Sequence, residues 1–513
     1  MLLWFVILYL MVSVGIGLVA ATRVHNAKDF AVAGRSLPLP VVMATVFATW
    51  FGAEAVFGVS ATFVKDGLRG VVADPFGSSM CLIFAGILFS RYLYKLNLLT
   101  LGDFYRMRYN RTVEVITTIC IVASYLGWVA AQIKALGLIF FVVTDGAVSQ
   151  QAGMILGAAI VLTYTTFGGM FSVAILDFVQ MAVSMGGLLF IAWIVSGKVE
   201  GGSGSVIQHA ADAGKLQFFP EADPVKWITF IGAWVTMMLG SIPQQDVFQR
   251  VTSAKTAKIA LGGSILGASI YFCFTFVPMF IAYSATLIDP ALFAELAEKD
   301  SQLVLPTLVL QHTPLVAQVL FFGAVLSAIM SCSSATLLAP SVTFAENVIR
   351  GFYPKMGDHR FLWVMRGCVV GFACLVLAFA LNSGSSIFKM VENAYKVTLA
   401  GAFVPLVAGI LWKRATTQGA LAATFGGLLS WLLIEVLVAG GDGGGDYAYS
   451  LVGGDGIPPQ LIGLGVSALG MVLGSLLPQR VGHKTPGRPL HELQHHVAAE
   501  THHVTEHAHH HPS

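Results

Sequence analysis

Only 11% of the 513 residues are charged and 56% are apolar, whereas a soluble globular chain carries about 25% charged residues. That deficit excludes a soluble globular domain and points to a polytopic membrane protein, and the net charge of +2 carries no signal for nucleic acid. The six cysteines (Cys81, Cys120, Cys273, Cys332, Cys368, Cys374) all stand in apolar segments and fit neither a disulfide framework nor a zinc spacing.

The chain opens on MLLWFVILYLMVSVGIGLVAATR, with no positive residue before the apolar run. A secretory signal has a charged n-region and a shorter apolar core, so this run is expected to stay as a first membrane helix. Scanning onward for runs near 20 apolar residues, the length that spans a bilayer, gives thirteen expected helices. They fall at 2–22, 38–63, 72–90, 112–143, 150–167, 172–197, 228–248, 259–282, 314–345, 361–381, 388–410, 418–438 and 458–478. With the N-terminus outside, the inside segments hold 19 of the 29 Lys and Arg, the outside loops six, and the helices four (Lys134, Arg366, Lys389 and Lys396). Arg250 counts among the inside cations. This asymmetry follows the positive-inside rule and puts the C-terminus inside. The stretch GGDGGGDYAYSLVGGDG (440–456) reads as a flexible outside loop that lacks the terminal glutamate of a calcium-binding loop. The tail after Val481 carries ten of the fourteen histidines. It reads as a disordered cytoplasmic segment (481–513), with His509, His510 and His511 as weak candidates for a metal.

Four polar constellations interrupt the apolar helices. The first is ATWFGAEAVFG (48–58), where Glu54 stands between Gly52 and Gly58. A carboxylate there needs water, a partner or a ligand, and the glycines weaken the helix. The resulting break would free backbone carbonyls near Ala48 and Phe51, which is tolerated at membrane depth only beside a cavity. The second is SAIMSCSSAT (327–336), where Ser331, Cys332, Ser333, Ser334 and Thr336 crowd one segment beside Ala328. Hydroxyl and carbonyl oxygens suit an alkali cation, although serines also bond back to their own helix. The third is TFGGMFSVAILDFVQ (166–180), with a tight turn at Gly168–Gly169 and Asp177 early in the next helix. There Asp177 either complements the helix dipole or hands a cation to the cytosol. The fourth is MLGSIPQQDVFQR (238–250), where Gly240 and Pro243 interrupt the helix beside Gln244, Gln245 and Asp246. Those three side chains either line a site or lie at the inner interface. The two interrupted helices are the second and seventh of thirteen, the spacing of an inverted five-plus-five repeat.

Three of these motifs, GGMFSVAILDFVQ, GSIPQQDVFQRVTSAKTAKIA and GAVLSAIMSCSSATLLAPSVTFAENVIR, resemble the sodium:solute symporter family over nearly all of residues 1–480. The resemblance implies an all-α membrane protein of LeuT type, working by alternating access. Its inverted repeats would be 38–197 and 228–412, with 1–22 as an extra first helix and 418–478 as two extra helices. It also implies one Na⁺ as coupling ion, held by the carbonyls of Ala48, Phe51 and Ala328 and the hydroxyl of Ser331. Cys332 stands where the family usually has a second Ser or Thr, and a thiol is a poorer ligand for a hard cation. Asp177 matches an aspartate on the inward sodium path. The motifs are nearest those of choline-carrying members, in which Trp50 and Trp128 match cage aromatics that hold quaternary ammonium by cation–π attraction. The cage is incomplete, because Gln244 and Ser78 replace aromatics. Glu54 stands where choline carriers have glycine and sugar carriers a substrate-contacting glutamate. Two tryptophans and a carboxylate suit an amine, an amino acid or another cationic or zwitterionic solute.

The expected function is sodium-coupled symport of a small polar solute in the cell membrane, with the lipid bilayer and that solute as partners and no obligate protein partner. Proton coupling through Glu54 and Asp177 is the narrower rival. A membrane sensor lacks a following kinase or receiver domain. An enzyme is not expected, since no paired catalytic carboxylates, HExxH or nucleophile motif occurs.

Overall fold

The computed structural model describes residues 1–384, 387–439 and 456–481. The loop at 440–456, save its last residue, and the histidine tail with His509, His510 and His511 lie outside the described residues. All regular elements described are helical, apart from one isolated bridge between Leu37 and Ala254. In chain order they are α1 (Leu2–Ala21), α2 (Ala27–Val32), α3 (Leu39–Trp50), a wide-turn segment (Glu54–Val59), α4 (Ser60–Asp66) and a second wide-turn segment (Val72–Gly77). Then come α5 (Ser78–Leu88), α6 (Leu101–Arg108), α7 (Arg111–Val143), α8 (Gln150–Lys198), α9 (Gly202–Asp212), α10 (Pro224–Gly240) and α11 (Gln245–Thr252). The chain continues with α12 (Ala257–Ile288), α13 (Pro290–Lys299), α14 (Val304–His312), α15 (Leu315–Phe344), α16 (Arg350–Phe352) and α17 (Asp358–Asn382). It closes with α18 (Ile387–Gly401), α19 (Phe403–Leu411), α20 (Thr417–Ala439) and α21 (Pro459–Leu476).

Among the described residues, nine helices are long and apolar enough to cross a membrane alone, and three bent pairs cross if each pair is one span. The pairs bend by 56° between α3 and α4, 47° between α10 and α11, and 48° within 390–411. At 49 residues, α8 would run about 74 Å at 1.5 Å per residue, over twice the ~30 Å hydrocarbon core. It is two spans. Gly169 takes φ +49°, ψ −139°, a conformation that L side chains rarely adopt. The chain folds back there, because Gly17 of α1 lies against both Tyr164 and Leu176. Nine single helices, three bent pairs and α8 counted twice give thirteen spans among the described residues, in the intervals expected from the apolar runs.

The exterior explains the composition. Trp4, Met11, Val19, Trp193, Leu429 and Leu469 are among the large apolar side chains left exposed, as a lipid-facing surface requires. Polar side chains instead turn inward. The break between α3 and α4 faces the break between α10 and α11, while α15 and the second half of α8 pack beside α3. At the end where Arg106, Arg111 and Arg350 gather, a buried network ties α6, α7 and the end of the α15 span. The Asn347 amide donates to Asp103 Oδ1 and Glu114 Oε1, each at 2.9 Å, and Arg111 pairs with Glu114 at 2.8 Å.

Arg250 departs from the sequence expectation. Counted there as an inside cation, it is 1% exposed and belongs to the interior. The inner-interface placement of Gln244, Gln245 and Asp246 fails with it, since all three are buried. The bend within 390–411 was not foreseen, because the polar residues of that run, Glu392, Asn393, Lys396 and Thr398, all precede the break and none stands beside it.

Candidate functional site

The break in α3 is built by residues that stop the helix from closing. Phe51 leaves the helical region with φ −84°, ψ 76°, and the Gly52 N–H turns back to Trp50 O at 3.1 Å. Among the described residues, no backbone N–H outside the regular helices reaches the Ala48 or Phe51 carbonyl. Gly52 is required by space. A Cβ there would lie 2.6 Å from Cys332 Cβ and 2.7 Å from Gln132 Oε1, so glycine lets the broken backbone touch α15 and α7 together.

The oxygen-rich corner lies on one side of this break. Ser331 Oγ stands 3.4 Å from Ala48 O and donates to Asp177 Oδ1. Thr45 Oγ1 donates to Asp177 Oδ2 at 2.5 Å. Ala48, Ser331 and Asp177, named from the sequence, therefore meet where α3, α8 and α15 cross. Ala328 is one turn before Ser331 inside unbroken α15, so its carbonyl offers a second lone pair rather than a free group. Ser334 bonds to the Ser331 carbonyl of its own helix at 3.0 Å and also reaches the Tyr164 hydroxyl of α8.

On the other side is an aromatic and acidic corner. Glu54 is 3% exposed. Its carboxylate accepts from Gln132 Nε2 at 2.6 Å and Trp128 Nε1 at 3.2 Å, and Cys332 Sγ lies 3.9 Å away. Trp50 and Trp128 meet edge to face at 5.8 Å, and Tyr395 completes the group at 6.2 and 5.5 Å from them. Tyr125 stacks on Trp128 at 5.8 Å. Trp50 Nε1 donates to Asp246 Oδ2 at 2.8 Å, and Tyr125 donates to Asp246 Oδ1. Gln244 caps the α10–α11 break through Ser124 and Thr398, at 3.0 and 3.3 Å. Ser78 does not join the tryptophans; its hydroxyl donates to Asp74 Oδ1 at 2.6 Å.

Between the two corners stands Arg250. Its Nε donates to Thr49 Oγ1 at 2.8 Å, and its Nη1 donates to Asp246 O and Gln249 Oε1, both at 3.3 Å. Its charge is felt by both Asp177 and Asp246, yet it forms no ion pair within 4.0 Å to either. Sequence reasoning missed Thr45, Gln132, Tyr125, Tyr395 and Arg250 as site residues. A charged or amide side chain inside an apolar run was the available signal for Gln132 and Arg250. The others have none, because a lone Thr or Tyr is ordinary helix packing.

Hard oxygen ligands and an anionic aspartate can hold a small desolvated cation, while a carboxylate beside stacked indoles can hold an organic one. The profile of the Sodium:solute symporter family matches residues 30–427. The High-affinity choline transporter 1 of Drosophila melanogaster is 27% identical over 431 residues, covering 82% of this chain and 68% of the relative. The Sodium/glucose cotransporter of Vibrio parahaemolyticus is 23% identical over 445 residues, 81% of each chain. A substrate-bound, outward-open structure of a Na⁺-coupled sialic acid symporter superposes with a TM-score of 0.77 at 18% identity, over 95% of this chain and 98% of that one. The fold is thus of LeuT type, and the chain is a multi-pass membrane protein that belongs to the sodium:solute symporter family.

Proposed function

We propose that this protein is a sodium-coupled symporter of a small cationic or zwitterionic organic solute, an amine or amino acid, carried by alternating access. The observation behind the reading is the pairing of the two corners on one broken helix. Ala48, Phe51, Ala328 and Ser331 supply neutral oxygens for Na⁺, and Asp177 supplies the charge that draws it in and receives it on the way to the cytosol. Glu54, three residues beyond Phe51, and the pair formed by Trp50 of α3 and Trp128 of α7 face the solute. Na⁺ binding joins α3 to α15, and that junction fixes Gly52 against Cys332 and Gln132, the residue that orients Glu54. Ion occupancy therefore completes the solute site. The membrane potential supplies about 2.3 kcal/mol per charge per 100 mV.

A hydroxyl-poor acidic cage favours a cation over a sugar. Glu54 would be a costly unpaired charge without one, and a quaternary ammonium alone would not call for the carboxylate. The test is a thermal-shift screen of the purified chain with amines, amino acids, carboxylates and sugars, each with and without Na⁺. Uptake of the stabilising solute into proteoliposomes follows, with Na⁺ replaced by K⁺ at fixed pH. Sodium-dependent stabilisation and uptake of an amine-bearing solute are expected. Uptake unchanged by the replacement would overturn sodium coupling.

A further inference from the structure

Four carboxylates surround the two breaks: Glu54, Asp74, Asp177 and Asp246, each at most 3% exposed. Among the described residues, Arg250 is the buried cation that stands with them. Arg108, also buried, is spent on the Gly409 and Trp412 carbonyls. Ionised together, the four would carry more negative charge than the buried side chains around them balance, which a low-dielectric medium strongly disfavours without added cations. In the function proposed above, Na⁺ answers Asp177, the solute answers Glu54, and Arg250 serves Asp246. Asp74 is left over.

One of its two carboxyl oxygens has a vacant, buried face. The backbone at Asp74 leaves the helical region at φ −142°, ψ 118°, inside the wide-turn segment Val72–Gly77. Oδ1 accepts from Ser78 Oγ and from Tyr271 OH of α12, both at 2.6 Å. Oδ2 is buried and has no hydrogen-bond partner. No lysine, arginine or histidine among the described residues forms an ion pair with it. A cation beside Oδ2 would give that buried oxygen the partner it lacks. Tyr271 lies edge-on to Phe51 at 6.3 Å, so this group sits directly behind the first break.

We infer that Asp74, Ser78 and Tyr271 form a second monovalent-cation site that takes Na⁺, distinct from the one at Ala48 and Ser331. The inference rests on the sodium-coupled reading. The ligands are one carboxylate oxygen and two hydroxyl oxygens, all hard donors.

The test counts ²²Na⁺ bound to the purified full-length chain by scintillation proximity, in N-methyl-D-glucamine buffer without solute. Wild type should bind two Na⁺, Asp74→Asn one, and Ser331→Ala the other one. Tyr271→Phe and Ser78→Ala should keep the count and raise one half-saturation by about threefold to tenfold, the loss of one hydroxyl ligand. If Asp74→Asn does not fold, those two variants carry the test, and an unchanged half-saturation in both overturns the second site. A wild type that binds one Na⁺, lost in Ser331→Ala and kept in Asp74→Asn, overturns the second site and leaves sodium coupling standing. A wild type that binds none overturns both.

Discussion

Replacing Ser331 with alanine takes one hydroxyl from the crossing of α3, α8 and α15 and leaves every carbon in place. That hydroxyl donates to Asp177 Oδ1 and lies 3.4 Å from Ala48 O. Asp177 keeps a second donor, Thr45 at 2.5 Å, so the fold survives and the loss falls on the ion. A hydrogen bond or ligand contact to a charged group contributes about 1.5–3 kcal/mol, which is about 10- to 140-fold in an equilibrium constant. The Na⁺ half-saturation of Ser331→Ala should rise by that factor. The assay is melting temperature of purified protein against NaCl, with N-methyl-D-glucamine chloride holding ionic strength. Ser334→Ala is the control, since its hydroxyl bonds to its own helix, and it should stay within about twofold, the scatter of a surplus contact. Cys332→Ser replaces a soft thiol with a hard oxygen and should shift the midpoint the other way. A Ser331→Ala midpoint indistinguishable from wild type, or equal shifts for Ser331→Ala and Ser334→Ala, would refute the placement of Na⁺ at this crossing.

Glu54→Gln keeps the shape and removes a buried charge. Solute affinity measured by calorimetry should fall by about 3–5 kcal/mol, the cost of breaking a buried ion pair, while the melting temperature without solute should not fall. Gly17→Ala puts a Cβ 2.7 Å from Tyr164 Cβ, whereas Gly15→Ala meets nothing within 4 Å. Thermal melts should show the first losing about 1–3 kcal/mol through overpacking and the second unchanged. Asn347→Leu removes the amide shared by Asp103 and Glu114. It should cost about 1–3 kcal/mol for each carboxylate left short of a donor, read as a lower denaturation midpoint, with Na⁺ half-saturation unmoved.

The thirteen spans were legible because a bilayer imposes one length and one polarity on each helix. The first two breaks were legible because Gly52, Gly58, Gly240 and Pro243 weaken helices at positions that also carry polar side chains. The bend at Ala402 was not, since Gly401 and Pro405 are flanked on both sides by apolar residues and the polar ones of that run lie a turn or more away. Within the site, Ala48, Ser331 and Asp177 could be named in advance and do converge, as do Glu54, Trp50, Trp128 and Cys332. Ser78 and Gln244 were assigned to the same cage as the tryptophans, but their hydrogen bonds go to Asp74 and to Ser124 and Thr398. Which face of a helix a lone polar side chain turns toward is decided by neighbours hundreds of positions away. Arg250 is the clearest case. At the end of an apolar run it reads as an interfacial cation, and only Thr49, 201 positions away, makes it an interior one.

That arginine has a consequence for how ion and solute feel each other. The guanidinium is suspended between two acids, with its Nη2 buried and unattached. Under the proposed function, a positive ion arriving beside Asp177 would weaken the pull from that side and leave the pull from Asp246 to dominate. Asp246 is also what Trp50 and Tyr125 hold on to. Like a beam on a pivot, a shift of load at one end would be felt in the ring stack at the other.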